Sequence, residues 1–406
     1  MSPDEPMSRP GGGMKVVSPA TSAIHAGEPE GRPGEPVVAP VVRSSTFHSP
    51  LSAGAEAGEP LRYSRYGNNP NQESVAAKIA ALEGTEAALA LASGMAATAM
   101  TLLSVAEQGD HIIASRHLYG ATGVLLAEEL PRRGIATTFV EPSAPAAWLA
   151  ALRPRTRGVL IELPTNPTLK VFDIEPARQA ADKAGAILAA DVTFATPVNL
   201  RAAEHGVDAV IHSATKYLGG HSDLIAGAVA GSRELISGVA RMMKLYGPSI
   251  DPETAWLLER GIRTLPVRME RHNCSAQALA EWFTGVPGVR QVVYPGLESH
   301  PDHACAARLL DGFGGMLAIV LDGGGPAADR FCASLKLAAV APSLGGVETL
   351  VSQPRLTSHV DLTPGERASL GIDDGMIRIS VGLEDLADLK TEFAAAAAAA
   401  AARVAA

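Results

Sequence analysis

Between residues 86 and 213, short apolar runs alternate with stretches of helical spacing, and the runs are apolar on both faces. EAALALAS reads as a strand running into Gly94, MAATAMTLLSVA as a helix, HIIAS as a strand and ATGVLLAEELPRRG as a helix. ATTFVE and GVLIELP follow as strand-like runs, then EPARQAADKAG as a helix and AILAADVT as a strand. A strand covered by helices on both sides has no solvated face, so it loses the in-out alternation of a half-exposed strand. The pattern therefore predicts an α/β doubly wound large domain on a mostly parallel sheet. At 406 residues the chain is long enough for one or two smaller domains besides.

The texture changes on either side. Residues 1–66 are rich in Pro, Gly and Ser, with one β-like patch at residues 37–42, and read as an extended N-terminal arm that gains order by lying on something else. ESVAAKIAALEG then takes helical spacing and stops at Gly84, a glycine C-cap. That helix opens the large domain, residues 67–265. Residues 266–406 form a smaller α+β C-terminal domain, in which RMERHNCSAQALAEWFTG is helical and GGMLAIVLDGG and GMIRISVG are spaced strands. The alanine run at residues 394–402 reads as a helical or frayed tail.

Composition removes several function classes. A formal charge of -9 without clustered Lys and Arg offers nothing to a phosphate backbone or to anionic lipid, so neither nucleic acid nor membrane is an expected partner. No uncharged apolar run reaches the ~18 residues of a membrane span. The start, MSPDEPMSRPGGG, lacks the positive and apolar regions of a signal peptide and reads as a loose tail. Cys274, Cys305 and Cys332 have no C-x-x-C spacing, which fits a reducing cytoplasm and indicates neither disulfides nor zinc. His111, His117, His205, His212, His221, His272, His300 and His303 never take ligand spacing on an expected helix, so no metal site is expected.

The chemistry concentrates in Asp191, Ser213, Thr215 and Lys216. Asp191 ends an apolar strand, and Lys216 lies in HSATKYLGGHSD after one further strand-like stretch, GVDAVIHS. A lone Asp/Lys pair is most often a capping carboxylate and a solvated lysine. Ser-x-Thr-Lys with GHSD close behind favours another set: an amine to hold an aldehyde cofactor, a carboxylate to keep its pyridine nitrogen protonated, and hydroxyls for its phosphate. These are the requirements of pyridoxal 5'-phosphate (PLP). Such an amine has to be partly desolvated to serve as a base.

From about residue 21 to residue 389 the chain resembles the Cys/Met-metabolism family of PLP enzymes, which includes cystathionine γ-lyase, cystathionine γ-synthase, cystathionine β-lyase, methionine γ-lyase and the homoserine-ester sulfhydrylases. The resemblance rests on YSRYGNNP, LASGMAA, HLYGAT, PTNPT, DVTFATP, SATKYLGGHSD, TLPVRMERH, YPGLESHPDH, GFGGML, SLGGVET and IRISVGLED, in family order. It implies the PLP-dependent aminotransferase-like fold (fold type I) and a homo-oligomer, a dimer being needed for the site and a tetramer being usual. Lys216, Tyr119 and Asp191 become the catalytic set, with Tyr119 stacking on the ring. Gly94 and Met95 would meet the phosphate at a helix N-terminus, although a Ser-Gly pair alone is an ordinary turn. Ser213, Thr215 and Thr193 complete the cofactor shell, and Tyr63 and Arg65 would reach it from the neighbouring subunit. Asn166, which would hydrogen-bond the ring hydroxyl oxygen, joins Ser343, Arg378 and Tyr63 as the substrate-binding group. Arg378 alternates with apolar neighbours on a face expected to be buried, where it needs a partner: the substrate carboxylate, or a structural salt bridge as the competing reading.

The implied reaction passes through an external aldimine and a β,γ-unsaturated intermediate, ending as γ-elimination or, with an incoming thiol, as γ-replacement. Substrate choice turns on departures from the family pattern. Gly123 and Val124 stand where cystathionine γ-lyases carry asparagine and arginine, and Pro342 where they carry glutamate. Ala121 stands where methionine γ-lyases carry cysteine, Val192 replaces the asparagine of DNTFATP, and Leu163 precedes PTNP where serine is common. The substrate shell is thus smaller and more apolar. We therefore expect a PLP-dependent lyase acting on a small γ-substituted L-amino acid with a sulfur, ester or halide leaving group, with γ-replacement by a transferase as the alternative.

Overall fold

Residues 18–28, 31–49 and 61–402 are described by a computed structural model. The alternating apolar runs become strands β1 (Ala87–Leu91), β2 (His111–Ser115), β3 (Ala136–Val140), β4 (Thr156–Glu162), β5 (Ile187–Asp191) and β6 (Ala209–His212), joined by β7 (Gly227–Gly231). They form one sheet of order β1-β7-β6-β5-β4-β2-β3, parallel except for β7, which runs against both neighbours. β2, β6 and β7 are buried at every residue, as double coverage by helices requires. The large sheet matches the expected mostly parallel architecture. β7 was not expected, because GAVAG is short and made of Gly, Ala and one Val. Small residues are required there: a Cβ on Gly227 would stand 2.0 Å from the carbonyl oxygen of Ser93.

Local chemistry sets the helix ends. In the helix Pro70–Glu83, Asn69 and Gln72 form a reciprocal capping box, and Gly84 ends it at φ 69°. The helix following Tyr119 widens into a π turn at Leu125–Glu129, just ahead of Pro131, whose ring nitrogen has no proton to give the ladder.

A second sheet, in order β10-β11-β12-β9-β8, carries the C-terminal part of the chain: β8 (Val289–Val293), β9 (Met316–Leu321), β10 (Ala339–Val340), β11 (Leu350–Ser352) and β12 (Met376–Ser380). β12 is flanked by β9 and β11, so Arg378 sits between Ala318 and Ser352. The alanine-rich end forms the helix Leu386–Ala401, with Leu389, Phe393, Ala396, Ala397 and Ala400 buried at helical spacing. Phe393 lies 5.5 Å from Phe283 and stacks 6.0 Å from Phe331, between ring centroids. No helix among the described residues is long and apolar enough to cross a membrane.

The arm differs from its expectation at two places. The patch at residues 37–42 makes no strand, because side chains meet its backbone instead: Asn71 Oδ1 accepts the Val42 N–H (2.8 Å), Asn69 donates to Val42 O (2.8 Å) and Trp256 Nε1 donates to Ala39 O (2.8 Å). Pro19–His25 forms a short helix that buries Ala23, with Ile24 O accepting from Lys78 Nζ (2.7 Å). The first thirteen residues, read as a loose tail, lie outside the described residues.

The docking of the C-terminal helix is testable. Phe393→Ala removes a fully buried ring shared by two others, so it should lower unfolding stability by about 3–5 kcal/mol in denaturant titration; a loss below about 1 kcal/mol would mean that the helix is frayed.

Candidate active site

The carboxyl ends of the parallel strands open on a common crevice, where open α/β sheets hold ligands. β1 leads into Ser93 and Gly94, β4 ends in Glu162, β5 in Asp191, and β6 leads into Ser213. The second sheet closes the other side, with Pro342 and Ser343 from the loop between β10 and β11 and Arg378 from β12. The resulting cavity has a volume of about 610 Å³, and it brings together Gly94, Met95, Tyr119, Asn166, Asp191, Thr193, Ser213, Thr215, Lys216, Ser343 and Arg378.

The Gly94–Val105 helix begins at this cavity, with Ser93 Oγ accepting the Ala96 N–H (3.1 Å). Its first N–H groups have no intrahelical acceptor, which makes the end attractive to an anion. Glycine is required at its first position, because a Cβ on Gly94 would come within 2.7 Å of Ser213 Cβ.

Lys216 Nζ donates to Ser343 Oγ (2.8 Å), and burial, followed by the charge of Arg378, lowers its pKa to about 8. Asp191 Oδ1 accepts from the Thr193 N–H (3.0 Å) and from Thr193 Oγ1 (2.5 Å), yet burial still pushes its carboxyl above the usual range. Thr193 Oγ1 also accepts the Ser213 N–H (2.8 Å), which ties the β5 end to the lysine loop. Thr215 is engaged differently from expectation: its hydroxyl donates to Ala226 O (3.1 Å) and accepts the Ala226 N–H (3.0 Å). Its one proton is therefore already committed to a backbone carbonyl.

Arg378 donates to Asn166 Oδ1 (3.0 Å) and to Ser343 O (2.9 Å), both neutral oxygens. Burial lowers its pKa only to about 10, so it stays charged at neutral pH. No carboxylate among the described residues pairs with it, and the structural salt bridge weighed above is not formed. Ser343 holds φ 84°, a left-handed conformation costly for a residue with a Cβ. Its carbonyl and hydroxyl thereby serve Arg378 and Lys216 together.

Tyr63 and Arg65 lie outside this chain's cavity. Arg65 donates to Lys244 O (2.6 Å) and its guanidinium stands 5.5 Å from the Tyr63 ring centroid. Of the substituted positions, Pro342 lines the cavity, whereas Ala121, Gly123 and Val124 do not, and Val192 and Leu163 are fully buried in the hydrophobic core. Ile225 and Leu356, 67% and 53% exposed, add apolar surface at the mouth.

Sequence reasoning missed Glu162. Its carboxylate lines the cavity, faces Asp191 across the β4–β5 register, and accepts the backbone N–H of Tyr119 at Oε2 (2.7 Å) and of Asn166 at Oε1 (2.9 Å). The available signal was the alignment of two neighbouring parallel strands, LIELP and AADVT, that each end in an acid. Among the described residues, no group of three or more His, Cys, Asp or Glu could hold a metal ion.

This donor set fits PLP. A partly desolvated amine, a half-buried carboxylate that forms no ion pair, a helix N-terminus and a buried guanidinium without a carboxylate partner share one cavity, which matches an aldehyde, a pyridinium, a phosphate and an amino-acid carboxylate in turn.

Known proteins agree. Residues 20–398 match the family model described as Cys/Met metabolism PLP-dependent enzyme. The O-succinylhomoserine sulfhydrylase of Pseudomonas aeruginosa is 40% identical over 92% of this chain and 94% of its own length. The L-methionine γ-lyase of Pseudomonas putida is 40% identical over 93% and 96%. The structure of a cystathionine γ-synthase from Xanthomonas oryzae pv. oryzae in complex with aminoacrylate and cysteine superposes with a TM-score of 0.89, at 34% identity, over 95% of this chain and 98% of that one.

The lowered lysine pKa makes a kinetic prediction. The rate at which cofactor-free protein captures PLP should rise with the neutral fraction of Lys216 and level off above its pKa of about 8. Stopped-flow absorbance across pH 6–11 checks it, and a midpoint near 10 would mean a solvated lysine.

Proposed function

The chain belongs to the Cys/Met metabolism family of PLP-dependent enzymes, and on that premise we propose that it catalyses γ-elimination from a small L-amino acid whose γ-substituent is uncharged. The supporting observation is how charge is distributed in the cavity. Lys216, Arg378, Asp191 and Glu162 are the acidic and basic residues lining it, and each lies by the cofactor-facing floor or the carboxylate clamp. Uncharged side chains line the remainder, among them Ile225, Leu356 and Pro342 and the hydroxyls of Thr122, Thr357 and Ser358, so this chain offers no charged group to a second amino-acid head on the substrate. A thiol, thioether, acylated hydroxyl or halide suits that wall.

When bound, PLP supplies the electron sink for charge left at Cα. The chain's own residues do the rest. Arg378 holds the substrate carboxylate by paired charge-assisted hydrogen bonds, with Asn166 and Ser343 fixing the guanidinium's direction. Lys216 Nζ, with a pKa of about 8, takes the Cα proton near neutral pH, and Ser343 Oγ holds the amine in place. Tyr119 steers the proton traffic from the ring face. Once Lys216 has handed on the Cα proton, the same amine takes a Cβ proton; the group on Cγ leaves with its bonding electrons and takes up a proton, the carbon chain regains the protons it lent, and water releases a 2-oxo acid and ammonia.

A second reading, γ-replacement by a thiol, draws support from relatives at comparable identity: the O-succinylhomoserine sulfhydrylase, and the cystathionine γ-synthase of Mycobacterium bovis at 40%. Tyr63 and Arg65, outside their own cavity, are proposed to complete a neighbouring chain's phosphate site in a homodimer, with dimers pairing into tetramers.

Incubation with homocysteine, methionine, O-acetylhomoserine and γ-chloro amino acids, with and without added thiol, separates the readings: thiol-independent 2-oxo acid supports elimination, and thiol-dependent product supports replacement. Arg378→Ala should raise KM roughly 100-fold with a smaller change in kcat, because about 2–3 kcal/mol of charge-assisted binding is lost; an unchanged KM would remove the carboxylate assignment. Mixing inactive Lys216→Ala chains with Arg65→Ala chains should restore about a quarter of wild-type activity, since half of randomly re-paired dimers then carry one intact site of two. No recovery would argue against exchange of the arm.

A further inference from the structure

Glu162 has no assigned part in the reaction, yet its surroundings are those of a working group. It is only 6% exposed, and its carbon skeleton ends β4 directly opposite Asp191 on β5. Two carboxylates side by side in a desolvated place repel, and burial first, Asp191 second, raise the Glu162 pKa to about 8. Cores rarely keep such a pair without a use for it. The groups around Glu162 are Asp191 on β5 with His212 beyond it on β6, Lys216 and Arg378 in the cavity, and the N–H groups of Tyr119 and Asn166.

Its hydrogen bonds show the use. Oε2 takes the Tyr119 N–H and Oε1 the Asn166 N–H, so one side chain joins two loops that otherwise belong to different strands. From Asn166 the network continues through Oδ1 to Arg378, from Arg378 to Ser343 O, and from Ser343 Oγ to Lys216 Nζ. A continuous set of hydrogen bonds therefore runs from the backbone of Tyr119 to the amine of Lys216. An amide at position 162 would break it, because only one of its two terminal atoms accepts.

We propose that Glu162 is a positioning residue, which acts through the backbone N–H groups of Tyr119 and Asn166 to hold those two side chains against the bound cofactor. The inference rests on the reading of the cavity as a PLP site. A buried acid that only stabilised the fold would affect melting alone. A positioning acid also affects how rigidly the ring is held.

The test uses holoenzyme. In Glu162→Gln, kcat should fall about tenfold and the visible circular dichroism of the Lys216-bound cofactor should drop by half or more. Glu162→Asp keeps the charge but is one methylene short of spanning both N–H groups, so intermediate values are expected; it carries the test if the glutamine variant does not fold. Wild-type kcat and dichroism in the variants that fold, with or without a lower melting temperature, would overturn the proposal. If the wild-type protein shows no Lys216-dependent visible band, the PLP reading fails instead.

Discussion

Four acidic and basic side chains surround a single cavity, and none forms an ion pair with another. Lys216 and Arg378 are bonded to neutral serine and asparagine oxygens, and Asp191 and Glu162 to threonine and backbone donors. Isolated buried charge is among the costliest things a fold can hold, and the shifted pKa values of Lys216, Glu162 and Asp191 record that cost. Cations and anions that could have neutralised one another are kept for something else. A ligand with a cationic ring nitrogen, an anionic phosphate and a carboxylate matches the pattern of unmet charge.

The scaffold makes this arrangement possible. Parallel strands deliver Gly94, Glu162, Asp191 and Ser213 to one edge of the large sheet, while the strand flanked on both sides in the second sheet delivers Arg378 from the opposite direction. Two close approaches keep the walls tight: Gly94 against Ser213, and Gly227 against the Ser93 carbonyl. Ser343, held in a left-handed conformation, is the hinge point where the amine and the guanidinium meet a shared residue. Strain of that kind persists only where the surroundings over-determine it.

Much of this was readable in the chain. HIIAS became β2 without change of boundary, and the strands ending near Gly94 and at Asp191 lie where apolar runs stop. Lys216, Asp191 and their hydroxyl neighbours were legible because Ser-x-Thr-Lys runs into GHSD and takes its place among the other motifs of the resembled family, whereas the spacing of Asp191 and Lys216 alone would have left a cap and a solvated lysine as the plainer reading. β7 was not, since GAVAG carries almost no branched or aromatic residue and its role is to allow close approach. The Pro19–His25 helix was hidden in a composition typical of linkers, with Ala23 as its buried anchor. Glu162 escaped because it closes an otherwise apolar run, and only strand register reveals that Asp191 stands beside it. Val192 and Leu163 each follow the acid that ends a strand and turn into the hydrophobic core, so these two departures from the family pattern change no wall of the cavity.

If the carboxylate of Asp191 lacks an ion-pair partner because it waits for a cationic ring, taking its charge away should help the empty protein and hurt the loaded one. Thermal unfolding at pH 8 of the wild-type protein and of Asp191→Asn, each with and without PLP, tests it most directly. Removing a half-buried charge that has no ion-pair partner should raise the melting temperature of the cofactor-free variant, while the increase that PLP gives the wild-type protein should shrink by at least about half. A variant no more stable than wild type without PLP, and stabilised equally by it, would mean that Asp191 does not hold the ring.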